Sequence, residues 1–136
     1  VSDDAKRLEE LRANKERREA ERRAEAERLE LELLELEEKS EAEGLARGRD
    51  FEIIDCREHG EGIVAVKRGL AVVHKKFVNS KQTDTDLDHY VTPNLIAPDA
   101  KKYREIVERR PFIAIRCANA LATLYGMKKG EDAGKY

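Results

Sequence analysis

The chain has 136 residues, 41% of them charged and only 5% aromatic, and its 27 Lys and Arg nearly cancel 29 Asp and Glu to leave a formal charge of −2. With no global surplus of base, the molecule as a whole is not built to neutralise a polyanion, and nucleic acid could be met only through a local basic patch. No apolar run approaches the ~18 residues of a membrane span, the start lacks the basic-then-apolar pattern of a signal peptide, and the two cysteines, Cys56 and Cys117, sit in dissimilar segments that suit buried reduced thiols better than a disulfide. A reducing cytoplasm is the expected location.

The first third holds too few aromatic and β-branched residues to share a core, so the folded domain must come from roughly the last 85 to 90 residues. From Asp3 to about Glu43 there is neither Gly nor Pro, and Ala, Leu, Glu, Arg and Lys dominate. These are the strongest helix formers, and the segment reads as one uninterrupted helix of about 60 Å. Ser2, Asp3 and Asp4 offer oxygens and negative charge to its first amides, and Gly44 offers a stop.

Leu8 and Leu11 have coiled-coil spacing, but continuing that register places Lys15, Arg18, Arg22 and Glu25 on the seam, which argues against a sustained heptad there. Charges instead fall at i,i+4, as in Lys6/Glu10, Lys15/Glu19 and Arg28/Glu32, so the helix can stand in solvent on its own pairs. Arg17, Arg18, Arg22 and Arg23 are interleaved with acids and read as a solvated face. Towards its end, Leu29, Leu31, Leu33, Leu34 and Leu36 crowd more than one side. Leucines on several faces imply several packing surfaces, and these five are the expected partner-binding residues of the stalk.

After the glycine-punctuated linker the period changes. Phe51 to Asp55, Gly62 to Lys67 and Leu70 to Val78 are short runs rich in Ile, Val and Phe, which predict three strands in an antiparallel meander with Arg68 and Gly69 in its second turn. Asn79 to Asp88 reads as an exposed loop leading to a short helical or irregular piece around Leu87 to Val91. Pro98 with Asp99 predicts the first turn of a helix whose Tyr103, Ile106 and Val107 form one apolar stripe, and Pro111 ends it. Pro111 to Tyr125 is apolar nearly all round, with Arg116, Asn119 and Thr123 as a narrow polar strip, and Gly126 serves as its cap. The expected organisation is a long charged helix over 1–43, a linker over 44–50, a small α+β domain over 51–126 and a flexible tail over 127–136. Within the domain, the three-stranded sheet should pack against two C-terminal helices, with one sheet edge left open for another chain.

Candidate chemistry is sparse. Cys56 and His59 have metal-like spacing but no second ligand cluster, and Cys117 lies in the most apolar segment. His74 has no Ser, Cys or Asp motif beside it, and Asp84, Asp86 and Asp88 lack the Gly and Glu of a calcium loop. Phosphate loops, dinucleotide fingerprints and nucleophile elbows are missing too, so no catalytic residue, cofactor or metal is expected. The residues available to a local basic patch are Lys75, Lys76, Lys101, Lys102, Arg109 and Arg110.

Four segments carry a resemblance: Gly62 to Arg68 (GIVAVKR), His74 to Ser80 (HKKFVNS), His89 to Asp99 (HYVTPNLIAPD) and Arg109 to Gly126 (RRPFIAIRCANALATLYG). Together they resemble the small tail assembly chaperone-like proteins of tailed phages and their bacterial relatives, over about two-thirds of the chain. In that group a strand carrying a Lys-Phe pair is followed by a V-x-P-x-x-x-x-P stretch and an apolar helix started by proline. The long charged helix departs from the pattern and suits a virion structural protein. The resemblance implies a non-enzymatic protein, in the bacterial host cytoplasm or the virion, that binds other structural or assembly proteins or its own copies. A nucleic-acid-packaging accessory is the alternative.

Overall fold

The computed structural model describes residues 2–126. Helix α1 runs from Asp3 to Ala42. At its start the Ala5 amide donates to Ser2 Oγ at 3.2 Å, with Asp3 and Asp4 in the first turn. At its end Gly44 adopts φ +83°, which lets its own amide donate to the Glu41 carbonyl and the Leu45 amide donate to the Ser40 carbonyl, the two hydrogen bonds that close a helix through a left-handed glycine. The chain divides into two units after Leu36. The first is helical, with every side chain from Lys6 to Arg28 exposed.

The second unit, a lobe, is α+β. Strand β1 (Phe51–Asp55) pairs antiparallel with β2 (Ile63–Lys67), from Phe51 opposite Lys67 to Asp55 opposite Ile63. Strand β3 (Leu95–Ala97) pairs antiparallel with the other side of β2, giving the order β1-β2-β3. As the central strand, β2 buries Ile63, Val64, Ala65 and Val66 in succession.

The third strand is a correction to the sequence reading. Leu70 to Val78, expected as a strand that would carry the Lys76-Phe77 pair, contains helix α2 (Ala71–Val78). Its β-branched residues suggest a strand, but the inward positions are Val73 and Phe77, four apart, while Leu70 and Val72 stay in solvent. Helical spacing of the buried pair outweighs the local β preference. The place in the sheet goes to Leu95–Ala97, three residues between Pro93 and Pro98, too short to display an alternation.

Two helix starts also move. Asp84 to Asp88, expected within an exposed loop, opens helix α3 (Asp84–Val91): Thr83 Oγ1 accepts from the Asp86 amide and the Asp86 carboxylate accepts from the Thr83 amide, a reciprocal cap. Pro98 precedes the cap rather than occupying the first turn. Asp99 caps helix α4 (Ala100–Arg109), accepting from the Lys102 amide at 2.8 Å.

Pro111 separates α4 from helix α5 (Phe112–Leu124), the main wall of the core. Ile113, Cys117, Ala118, Leu121 and Leu124 of α5 join Ile54, Val64 and Val66 from the sheet and Tyr103 and Ile106 from α4. Its outer face is mixed, with Arg116 and Thr123 beside the exposed Phe112 and Ile115. The expected flexible tail, 127–136, lies outside the described residues.

Candidate functional site

The five leucines of α1 separate into two groups. Leu29, Leu33 and Leu36, at i, i+4 and i+7, are half-buried. Leu31 and Leu34 project from the other side and are 56% and 52% exposed. Nearer the start, Leu8 and Leu11 are exposed as well. Among the charge pairs read from the sequence, Arg28 reaches Glu32 at 3.0 Å and also holds Glu25 at 2.5 Å, both in the favourable range of one helical turn.

The six residues of the basic patch lie on two helices. Lys75 and Lys76 are exposed on α2, Lys101 and Lys102 stand in the first turn of α4, and Arg109 and Arg110 mark its end. Eight residues of helix separate the two α4 pairs by about 12 Å. Arg109 is committed to Glu61, through two hydrogen bonds of 2.8 Å, and this pairing holds the Glu61 carboxyl below its ordinary pKa. Between them on α4, Arg104 grips Asp88 at 3.0 Å.

Both sheet edges are blunted. On the outer side of β1 the Ile53 amide donates to Glu52 Oε1, and Arg47 holds that carboxylate at 2.9 Å while also pairing with Glu37. Gly48 donates to the Phe51 carbonyl on the same side. The opposite edge, β3, is flanked by Pro93 and Pro98. An added strand would find the Ile53 amide and the Phe51 carbonyl of β1 already engaged.

The thiols are held in the core. Cys56 and Cys117 are both free and buried. Burial pushes Cys56 above its usual value and Cys117 up to about 12, so neither is a ready nucleophile at neutral pH. His59, the other half of the metal-like pair, packs edge-on against Phe112 with ring centroids 4.8 Å apart. Among the described residues no group of His, Cys, Asp or Glu is arranged to hold a metal ion, and no helix is long and apolar enough to cross a membrane.

Sequence reasoning missed two features. One is an aromatic cluster: His74 on α2 stacks on Tyr125 at 4.5 Å and its Nδ1 lies 2.8 Å from Tyr90 Oη, while Tyr90 stacks on Phe77 at 4.3 Å. Tyr125 Oη accepts from the Gly69 amide and donates to the Leu70 carbonyl, tying the end of α5 to the start of α2. Only the helical reading of residues 71–78 could have assembled it. The other is a cleft of about 280 Å³ between α3, α4 and α5, floored by Leu87, Val107, Pro111 and Ala114 and rimmed by Asp84, Asp88, Arg104 and Glu108. Tyr103 lines it, and its buried hydroxyl has no hydrogen-bond partner. No family model, no curated protein and no solved structure matches this chain.

Proposed function

We propose that the chain is a non-enzymatic assembly or adaptor protein that uses α1 and the surface of its lobe to bind other structural proteins or its own copies. The observation that carries this reading is the exposure of Leu31 and Leu34 on a side of α1 away from the half-buried Leu29, Leu33 and Leu36. A helix that only had to dock once would need one apolar stripe, and the second adds a surface whose burial is favourable. The lobe by itself also exposes Leu70, Val72, Phe112 and Ile115.

Two further arguments support it. The buried, hard-to-ionise thiols and the histidine packed among tyrosines serve the core rather than a reaction. The likeness to phage tail assembly chaperones, which retains the Val91 to Pro98 stretch and the apolar α5 although its Lys-Phe pair lies on a helix, supplies the partner class: other structural proteins of a tailed-phage particle, met in the bacterial cytoplasm or retained in the virion. The packaging alternative needs a basic surface, and it draws least support from Arg109, whose charge is already paired.

The test is affinity capture from infected or source cells with three baits: the full chain, the chain lacking residues 1–43, and Leu31→Glu/Leu34→Glu. A defined partner should be held by the first and lost from the other two. Equal capture by all three would overturn the role of the helix, and salt-sensitive retention of random DNA by the full chain would favour the packaging reading.

A further inference from the structure

Charge is unevenly distributed along α1. Residues 6–23 carry eight Lys and Arg against five Glu, net +3, whereas residues 24–42 carry two bases against eight Glu, net −6. Compensation of the helix dipole does not account for this polarity. The dipole acts within the end turns, where Asp3, Asp4 and Lys39 already answer it, and it favours acids early and bases late. The body of α1 runs the other way. Two such helices laid parallel would set like against like along their whole length, whereas an antiparallel pair brings each basic half beside an acidic one.

A seam with the required geometry is present. Ala13, Ala20, Ala24, Leu31 and Leu34, with Arg17 and Glu27 between them, follow each other at alternating intervals of four and three, the spacing that keeps side chains on one line of a paired helix. All seven are exposed. This line is not the Leu8/Leu11 register, which runs into a row of charges. Its small residues permit close approach of two backbones, and its leucines lie at one end.

Folded about an axis at residue 22, the stretch from Ala13 to Leu31 meets itself in register, and Leu34 falls beyond it, opposite Glu10. Leu31 of one copy covers Ala13 of the other, Ala24 meets Ala20, and Arg17 faces Glu27. In the parallel arrangement Arg17 would face Arg17 and Glu27 would face Glu27. The flanks are mixed, with Arg7 beside Glu35 on one side and Glu16 beside Glu30 on the other, so the seam and not the flanks fixes the register.

We infer that α1 pairs antiparallel with α1 of a second copy of this chain, through the seam from Ala13 to Leu31. The inference rests on α1 being a binding helix and names its occupant and orientation. Sedimentation at low ionic strength should give twice the 15.6 kDa mass of the chain, and rising salt should weaken the pair. Arg17→Glu should weaken self-association about tenfold, and Arg17→Glu/Glu27→Arg should restore it. Both sites are exposed, and the helix signal in circular dichroism should be unchanged. Oxidation of Ala13→Cys chains mixed with Leu31→Cys chains should yield mainly the mixed dimer. A 15.6 kDa species at every concentration, failure of the double exchange to rescue, or a predominance of self-linked dimers would overturn the inference. If the chain is monomeric yet still captures its partner through Leu31 and Leu34, self-pairing falls and the adaptor reading stands.

Discussion

Every side chain of α1 from Lys6 to Arg28 is exposed, while β2 hides four consecutive residues in the lobe. The two regions are held by different physics. The helix is a sum of local terms, good helix formers and caps, and each residue sees chiefly its neighbours within a turn. The lobe is held by contacts between residues far apart in sequence, as where Glu61 meets Arg109 or Gly69 meets Tyr125. A substitution in the first should therefore be absorbed locally, and one in the second should be felt by the whole fold.

The widest separation between the regions is expected from truncating a core leucine. Leu121 is fully buried on α5, and Leu121→Ala should cost about 2–5 kcal/mol, read from a urea transition. Leu11→Ala, on the exposed face of α1, should change stability by less than about 0.5 kcal/mol. Equal losses at the two positions would show that α1 is as much part of the cooperative unit as α5, and the contrast would fail.

Next comes Gly69, whose value is space rather than backbone freedom. A Cβ there would stand 2.2 Å from Asn94 Oδ1, and Asn94 is itself buried, with its amide donating to the Tyr90 carbonyl at 2.8 Å. Gly69→Ala should cost about 1–3 kcal/mol by overpacking, which thermal melting would measure. In the same variant the Gly69 to Tyr125 bond should loosen, and tyrosine absorbance would report it.

The same division explains what the sequence disclosed. α1 was legible almost to the residue, because Ser2, the glycine-free run and Gly44 are local signals. So were β1, β2, the α4 stripe and the break at Pro111. The third strand was not, since Leu95–Ala97 is defined by its pairing with Ala65 and Val66 and not by any pattern of its own. α2 misled because Val72 and Val73 carry strand preference while their fates diverge, one in solvent and one against the core. Of the candidate surface, the abundance of leucines near the end of α1 was visible, but their separation into half-buried and exposed groups needed the structure. The cleft beside Tyr103 joins three helices and has no linear signature.

A smaller effect is expected from pH. Burial lowers the His74 pKa below its ordinary 6.5, so the folded state favours the neutral ring. The unfolded chain then binds the proton more readily than the lobe does. The contribution is fully present above about pH 6.5 and is lost as pH falls through the interval below it. Asp50, Asp55, Glu61 and Asp86 are shifted downward in the fold, so their losses come at more acidic pH. The urea midpoint should fall between pH 7.5 and about 5.5, near the ordinary histidine range, and His74→Phe, which keeps a ring on Tyr125, should flatten that fall. An equally steep fall in the variant would assign the effect elsewhere.

The least change in stability belongs to the residues with most to say about function. In chains dilute enough to be single, Leu31→Ala/Leu34→Ala removes apolar surface that is in water and replaces it with a better helix former, so melting there should move by no more than the equivalent of about 0.5 kcal/mol. Partner capture should nevertheless drop, because burial of those two side chains is favourable only in a complex. If stability falls instead, by the amount expected for a core leucine, then Leu31 and Leu34 are occupied in the free chain. The distinction between a self-sufficient lobe and a helix with surface to spare would then have to be withdrawn.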